Sequence, residues 1–326
     1  MSPPPDVDRE PITTSGVIAV PNLHAQIEGL AAAVVRTAPG PGSSPMVVGE
    51  WAVLIDLLIL RGHVLGRIAD YEQAQELAEV LVGHLPSEPA GWLARARTRG
   101  SLHRFAEAKA DLGRAEFAGL DRRTLDTEHA VVHQALGERD RARALYERAG
   151  ARDKAQARSP DFTALAALAV LHSESGELVE AERLFGEARR RYQGTSPFPI
   201  ASLDFRRAQM WLKERDAATG YAWLEASRRR VPGYAPVLAR LAEVDVARGD
   251  HEIAINRLKP LAASSDDPAY AAALSRALRA AGDLHDAEQH RAVAATRYEQ
   301  LALRHPQAYA DHAADFQRSL LSLHHP

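Results

Sequence analysis

Residues 92–115, WLARARTRGSLHRFAEAKADLGRA, hold the clearest copy of a pattern that recurs along this chain. Ala108, near the middle of the copy, is a small residue that has counterparts at regular steps on both sides. Self-similarity at a period of about 20–50 residues is the signature of a repeat architecture. Successive small residues stand 33 to 39 positions apart: Ala74, Ala108, Ala142, Ala181, Gly220, Ala254 and Ala287.

Each copy predicts two antiparallel helices joined by a tight turn. In four copies a glycine stands five residues before the small residue and is followed by an acid. Glycine tolerates the left-handed backbone that ends a helix, and an acid suits the first position of the next helix. The two 39-residue steps predict loops at residues 150–160 and 194–199. The four pairs are Gly137-Glu138, Gly176-Glu177, Gly249-Asp250 and Gly282-Asp283.

This pattern resembles the tetratricopeptide repeat (TPR), a 34-residue helical hairpin. In that family a large residue at the fourth position and small residues at the eighth and twentieth are typical. The resemblance covers about residues 46–304 and implies an all-α, right-handed superhelical solenoid of about seven TPR-like repeats. Asp126, Asp204 and Ala271 depart from it, because each occupies a position where a large residue is usual. The best copy contributes Trp92, Ala96, Phe105, Ala108, Leu112 and Ala115.

A stack of repeats exposes an apolar face at each end unless another element covers it. Residues 1–21 are rich in proline and polar residues and are expected to be extended. Residues 22–45 are expected to hold a short helix from His24 to Arg36 and a Pro/Gly loop, before an array over residues 46–306. Residues 307–326 are predicted to form a capping helix with an apolar stripe: Tyr309, Ala313, Phe316, Leu320 and Leu323.

Composition excludes several classes of protein. The chain has no cysteine, so it has no disulfide framework and no cysteine-ligated metal site. Forty basic residues stand against 43 acids, a balance atypical of a nucleic-acid binder. Residues 46–60 are apolar but too short for a bilayer span, and they predict a buried core helix. No secretory signal is visible at the N-terminus, so the cytoplasm is the expected compartment.

No enzyme signature is present, so the sequence predicts a protein without catalytic residues, cofactor or metal site. There is neither a glycine-rich phosphate loop nor a Gly-x-Ser-x-Gly elbow. His129 and His133 share a helix face, but two histidines are too few for a zinc site. Packing histidines are the favoured interpretation of this pair.

Two arginine runs stand 39 residues apart and should lie side by side on one edge of the array. They could form a basic docking edge for an acidic partner. The alternative is that each run closes a second helix, where positive charge suits the helix dipole. The two runs are Arg189, Arg190, Arg191 and Arg228, Arg229, Arg230.

The resemblance implies that the first helices of successive units line a concave groove for a protein or peptide partner. Carrying the family's groove positions over unit by unit gives both signs of charge and one aromatic residue. Asparagine occurs only at Asn22 and Asn256, which disfavours the chaperone-binding subfamily with its asparagine and lysine clamp. The candidate groove residues are Asp56, His63, Arg67, Arg97, Glu128, Gln134, Glu174, Phe205, Arg206, Gln209, Lys213, Arg240, Glu243, Arg276 and Arg279.

The favoured function is a non-catalytic interaction scaffold or adaptor. One alternative is an accessory or regulatory subunit of an enzyme or biosynthetic complex. A second, less favoured, is RNA binding of the pentatricopeptide kind, whose 35-residue step does not fit the prevailing 34. Self-association through the end repeats is also left open.

Overall fold

The computed structural model describes residues 10–37, 39–40, 43–155 and 162–321, and this part of the chain is built from sixteen α-helices without a strand. Helix α1 (Gly16–Arg36) precedes seven helical hairpins, and α16 (Pro306–Leu321) follows them. The expected all-α solenoid is confirmed. The hairpins are α2 (Pro45–Leu65) with α3 (Ile68–His84), α4 (Pro89–Ser101) with α5 (Phe105–Phe117), α6 (Arg122–Ala135) with α7 (Arg139–Ala155), α8 (Phe162–Glu174) with α9 (Leu178–Arg191), α10 (Phe198–Lys213) with α11 (Ala217–Arg230), α12 (Ala235–Arg248) with α13 (His251–Ser264), and α14 (Pro268–Ala280) with α15 (Leu284–Arg304).

The recurring small residues lie where the two helices of each hairpin approach each other. All six alanines of the series are fully buried, and a Cβ at Gly220 would overlap the side chain of Leu212. The larger residues four positions later fill the interior beside them, as Phe185 and Leu224 do. Close helix approach therefore explains the strict selection of small side chains in the sequence.

Every hairpin turn contains one residue in the left-handed region. Five units use glycine there, whereas the second and fifth use His103 (φ 58°) and Arg215 (φ 62°). The acids after the turns do not all cap the next helix, which differs from the expectation. Asp283 accepts from the backbone N–H of Asp286, but Glu138 and Glu177 instead bond back to histidines at the end of the preceding helix. Asp250, before α13, makes no side-chain capping bond either.

The three departures from the repeat pattern have structural explanations. Asp126 forms an ion pair with Arg148 of α7, and Asp204 forms one with Arg189 of α9. Ala271 belongs to an apolar cluster in which Tyr298 of α15 supplies the bulk. Paired charges or a large residue on a neighbouring helix thus replace the usual large side chain.

The array curves so far that its sixth and seventh units meet its first. The Asp266 carboxylate accepts hydrogen bonds from the backbone N–H groups of Ile68 and Ala69, at 2.6 and 2.8 Å. The Ser265 hydroxyl bonds to the Gly66 carbonyl, and α12 packs against α2. One apolar core consequently joins α1–α4 to α10–α12.

The N-terminal helix is longer than the sequence predicted. It begins at Gly16 rather than His24, so that only residues 10–15 of the described N-terminal segment lie outside a helix. Gly16 lies so close to the end of α11 that a Cβ would overlap the carbonyl oxygen of Arg230. Leu23 and Ile27 of α1 are buried in the core. Helix α1 therefore covers the open face of the first hairpin.

Other predicted boundaries differ or lie outside the described residues. Helix α7 continues through the first predicted loop as far as Ala155, and residues 156–161 lie outside the described part. The second predicted loop ends at Phe198, where α10 begins. In α16, Tyr309, Ala313 and Phe316 pack with Tyr298, while the side chain of Leu320 and the whole of Leu323 lie outside the description.

The apolar segment at residues 46–60 lies inside α2, where Leu54, Ile55 and Leu58 are fully buried. Among the described helices, only α1 is long and apolar enough to cross a bilayer. Its buried face contacts the protein core.

Candidate functional site

The first helices of five units surround a hollow that contains three adjoining cavities. The α4 cavity, of about 700 Å³, lies between α2, α4 and α6. The α8 cavity, of about 590 Å³, lies between α6, α8 and α10. A side pocket of about 200 Å³ lies between α2, α10 and the start of α12. The two larger cavities fall within the range of about 300–1,000 Å³ that is typical of ligand sites.

Shared wall residues show that the three cavities adjoin one another. Val131, Ala135 and Arg206 line both larger cavities. His63 lines the side pocket and the α4 cavity, while Ser202 lines the side pocket and the α8 cavity. Arg206 therefore stands at the junction of the two large cavities, beside the residues that border the side pocket.

The α4 cavity contains an arginine whose charge is already neutralised. Arg97 is 2.8 Å from a carboxylate oxygen of Asp56 and 2.6 Å from one of Glu128. Burial acts to lower the pKa of Arg97, but the charges of Glu128 and Asp56 outweigh it and raise that pKa. These three side chains connect α2, α4 and α6 across the wall of the hollow.

Arg206 differs from Arg97 because its charge has no such partner. Its side chain is exposed to the hollow, and its guanidinium donates one long hydrogen bond of 3.5 Å to the Gln209 side chain. Across the residues that the structure describes, no carboxylate lies within ion-pairing distance of Arg206. A ligand group that enters the junction thus meets an available guanidinium.

His63, the neighbour of Arg206 across the junction, is neutral at pH 7. Its Nε2 lies 2.7 Å from the Tyr234 hydroxyl, and the two rings meet edge to face at 5.6 Å. Burial, and secondarily the charge of Arg206, lower the pKa of His63 to about 4. The histidine therefore adds a polar contact without adding charge.

Glu174 supplies a carboxylate near the far end of the α8 cavity. Its contacts are long, at 3.4 Å to the Gln134 amide and 3.8 Å to the Arg139 guanidinium. The side chain is 39% exposed. Three acids and two arginines from the predicted set therefore face the hollow, and of the two arginines Arg97 is the one that is ion-paired there.

The hollow brings together seven of the predicted groove residues. Arg67 instead pairs with Asp70 at 3.6 Å, and Arg240 pairs with Glu243 at 2.6 Å. Gln209, Lys213, Arg276 and Arg279 are not wall residues of the three cavities. The seven are Asp56, His63, Arg97, Glu128, Gln134, Glu174 and Arg206.

Phe205, the aromatic residue expected in the groove, is buried in the core instead. It is 7% exposed, and its ring lies 5.8 Å from that of Tyr234. One residue along a helix rotates the side chain by about 100°, so Phe205 turns inward where Arg206 faces the hollow.

The arginine runs close α9 and α11, and two of their members hold the N-terminal segment of the same chain. Arg189 and Arg230 are 7% and 9% exposed and both contact the Glu10 carboxylate, at 2.8 and 3.4 Å. Arg230 also donates to the Thr13 hydroxyl at 2.9 Å. The two runs thus lie side by side, but the buried arginines Arg189 and Arg230 contact the N-terminal segment of the same chain.

The apolar and small wall residues were missed by reasoning from polar groove positions. Ala166, Ala167 and Val170 of α8 face the α8 cavity, while Leu165 and Ala169 of the same helix face the core. The segment ALAALAV at residues 164–170 could have indicated them. A helix that is apolar on every side has no ordinary solvent face, so its second apolar face must line a cavity or contact a partner.

Solved structures resemble this chain in fold. A chain of the APC/C hetero-tetramer Cut9–Hcn1 matches 83% of this chain at 16% identity and a TM-score of 0.54, and this chain spans 50% of its length. A tetratricopeptide repeat protein from Parabacteroides merdae matches 80% at 15% identity, with a TM-score of 0.53 and 94% of its own length covered. The human IFIT1 dimer with PPP-AAAA matches 87% at 14% identity, with a TM-score of 0.57 and 74% of its length covered.

No family model matches the sequence, and a search of curated proteins finds no match. The structural likeness, at these identities, concerns the fold. The chain is a TPR-like helical-repeat protein.

Proposed function

We propose that this protein is a non-catalytic scaffold that holds an extended segment of a partner protein in its hollow. The observation that carries the proposal is the row of three adjoining cavities between the first helices of the units. A compact metabolite would leave much of this space empty, whereas an extended segment fills a long, partly apolar space. An enzyme or a member of a biosynthetic complex that carries such a segment falls within the proposal.

Charge favours a polypeptide over a nucleic acid as the occupant. Phosphate backbones need a surplus of lysine or arginine, but the wall of this hollow carries three carboxylates against two arginines and so has no such surplus. The IFIT1 dimer was solved with PPP-AAAA, yet that likeness extends to the fold alone. Walls that combine charges of both signs with apolar stretches suit a peptide that contains both charged and apolar side chains.

A substitution that fills the hollow tests the proposal. Ala166→Trp places a large ring in the α8 cavity, whereas Ala106→Trp adds the same ring at an exposed position on α5 as a matched control. Purified wild-type protein is panned against a displayed library of random peptides, and selected peptides are measured by fluorescence anisotropy. We expect Ala166→Trp to abolish binding and Ala106→Trp to leave it unchanged.

Two results would overturn the proposal. One is peptide binding that Ala166→Trp leaves intact, because the hollow would then not be the binding surface. The other is the absence of any selected peptide together with tight, salt-sensitive binding of single-stranded RNA in a gel-shift assay. Circular dichroism of both variants checks that each is folded.

A further inference from the structure

We infer that the hollow selects a segment with an internal aspartate or glutamate two positions from a medium-sized apolar residue. The acid would bind Arg206, and the apolar side chain would enter the side pocket. This inference rests on the proposed function and adds the chemistry of the partner.

The charge distribution assigns the acid to Arg206. Arg97 already has two carboxylates within 2.8 Å, and His63 is neutral at pH 7. Arg206 is the remaining arginine of the wall, exposed and without a carboxylate partner among the described residues. A guanidinium binds a carboxylate through two parallel N–H···O bonds, which gives affinity as well as orientation.

Position argues that the acid is internal to the segment. Arg206 lines both large cavities, so a segment that fills them passes the guanidinium in its middle. A terminal carboxylate on Arg206 would leave one of the two cavities empty. The carboxylates of Asp56 and Glu128 on one side and Glu174 on the other disfavour further acids away from the junction.

The side pocket has the character of an apolar subsite. Its volume of about 200 Å³ admits one side chain of leucine or phenylalanine size. Five of its nine described wall residues are apolar: Leu60, Val64, Phe198, Pro199 and Ala201. Its border with the α8 cavity lies at Pro199 and Ser202, of which Ser202 is the nearer to Arg206 along α10. An apolar side chain placed there leaves water without giving up a hydrogen bond.

Helix geometry sets the spacing of the two anchors. Ser202 and Arg206 lie one turn apart on the same face of α10, a rise of about 6 Å. In an extended peptide, residues two positions apart lie on the same side and are separated by about 6.6 Å. The expected recognition pattern is therefore an acid and an apolar residue with one residue between them.

Labelled synthetic peptides with blocked ends test this pattern. The probe has Glu-Ser-Leu at its centre with alanine and serine on both sides. Three variant peptides are compared with it. One has Gln in place of Glu, one has Ala in place of Leu, and one ends at the Glu with a free terminal carboxylate. Binding is measured with the wild type, with Arg206→Gln, and with Arg240→Gln, a matched control one repeat along that pairs with Glu243.

We expect the wild type to lose about tenfold in affinity when Glu becomes Gln, the scale of one charge-assisted contact. Arg206→Gln should bind both peptides equally weakly, and Arg240→Gln should behave like the wild type. Arg206→Glu should prefer a Lys-Ser-Leu peptide. Replacement of Leu by Ala should weaken wild-type and Arg206→Gln binding alike.

The inference is overturned if Gln and Glu peptides bind equally, or if the peptide that ends at the acid binds more tightly than the internal one. Loss of binding on Ala166→Trp, with no effect of Arg206→Gln, would keep the hollow as the site while rejecting the acid. If Ala166→Trp also has no effect, the proposed function fails as well.

Discussion

The carboxylate of Asp266 caps α3 from the opposite end of the chain, because it accepts a 2.6 Å hydrogen bond from the backbone N–H of Ile68, 198 residues away. The first N–H groups of a helix have no partner within the helix itself. Here the loop before α14 supplies that partner, so the start of α3 and the closure of the array depend on the same contact. The wall formed by α2 is held in place by this closure.

Asp266→Ala should destabilise the protein by about 1–2 kcal/mol, the usual scale for loss of a helix cap. Because the cap is long-range, hydrogen exchange should increase in α3 and in α14 together. Asp283→Ala, which removes the local cap of α15, serves as the control and should affect α15 alone. If hydrogen exchange in α14 were the same in Asp266→Ala and Asp283→Ala, Asp266 would not hold the two ends of the array together.

Arg215→Gly should stabilise the protein by about 0.5–1 kcal/mol, measured by urea unfolding. Arg215 adopts a φ of 62°, a region that costs a side chain about 1–2 kcal/mol and that glycine enters freely. Gly249→Ala, at the corresponding turn of the next unit, is the reverse experiment. No atom lies within 4 Å of the added Cβ there, so its expected destabilisation comes from the backbone alone. A stabilising Gly249→Ala would refute the argument.

The two aspartates that depart from the repeat pattern should differ in their tolerance of leucine. Arg189 is 7% exposed, so Asp204→Leu leaves a buried guanidinium with one ion pair fewer. The expected loss in the free energy of unfolding is about 3 kcal/mol. Asp126→Leu should cost less than about 1 kcal/mol, because Arg148 and Arg122, which pair with Asp126, are 54% and 52% exposed and can turn to water. Thermal unfolding compares the two, and Asp204→Leu combined with Arg189→Met should recover most of the loss.

His63 should make the protein less stable as the pH falls. Its folded-state pKa of about 4 lies below the ordinary value of 6.5, so its contribution is complete above pH 6.5 and is lost towards pH 4. The expected loss at pH 5 is about 1–2 kcal/mol. Unfolding curves of the wild type and His63→Gln, compared between pH 7 and pH 5, isolate this contribution. A parallel pH dependence of the two proteins would rule it out.

NMR titration of the His63 ring examines the electrostatic link to Arg206. In Arg206→Gln the pKa of His63 should rise, because the repulsion by the guanidinium is removed. The rise should be modest, since burial is the larger cause. An unchanged pKa of His63 would mean that Arg206 and His63 do not interact across the junction of the cavities.

Residues that act within one hairpin were predictable from the sequence. The series from Ala74 to Ala287 identified the helix contacts correctly, because close packing admits only small residues at each crossing. Seven of the fifteen groove residues face the hollow for the same reason, since repeat register fixes the side of the helix on which they lie. Phe205 was misplaced because the groove positions taken for the fifth unit included both Phe205 and Arg206, although neighbouring residues of a helix point about 100° apart.

The sequence by itself determined the repeating hairpin, because the turn, the small residue and the helix period are local constraints within about 34 residues. Only the tertiary structure decided that the first and last units meet, since small rotations between units accumulate along the array until Ile68 reaches Asp266. It also decided which arginines are neutralised. Arg97 finds its acids 41 and 31 residues away, and Arg230 finds Glu10 220 residues away. Arg206 is left facing the hollow without a carboxylate among the described residues, an outcome that depends on curvature rather than on any local motif.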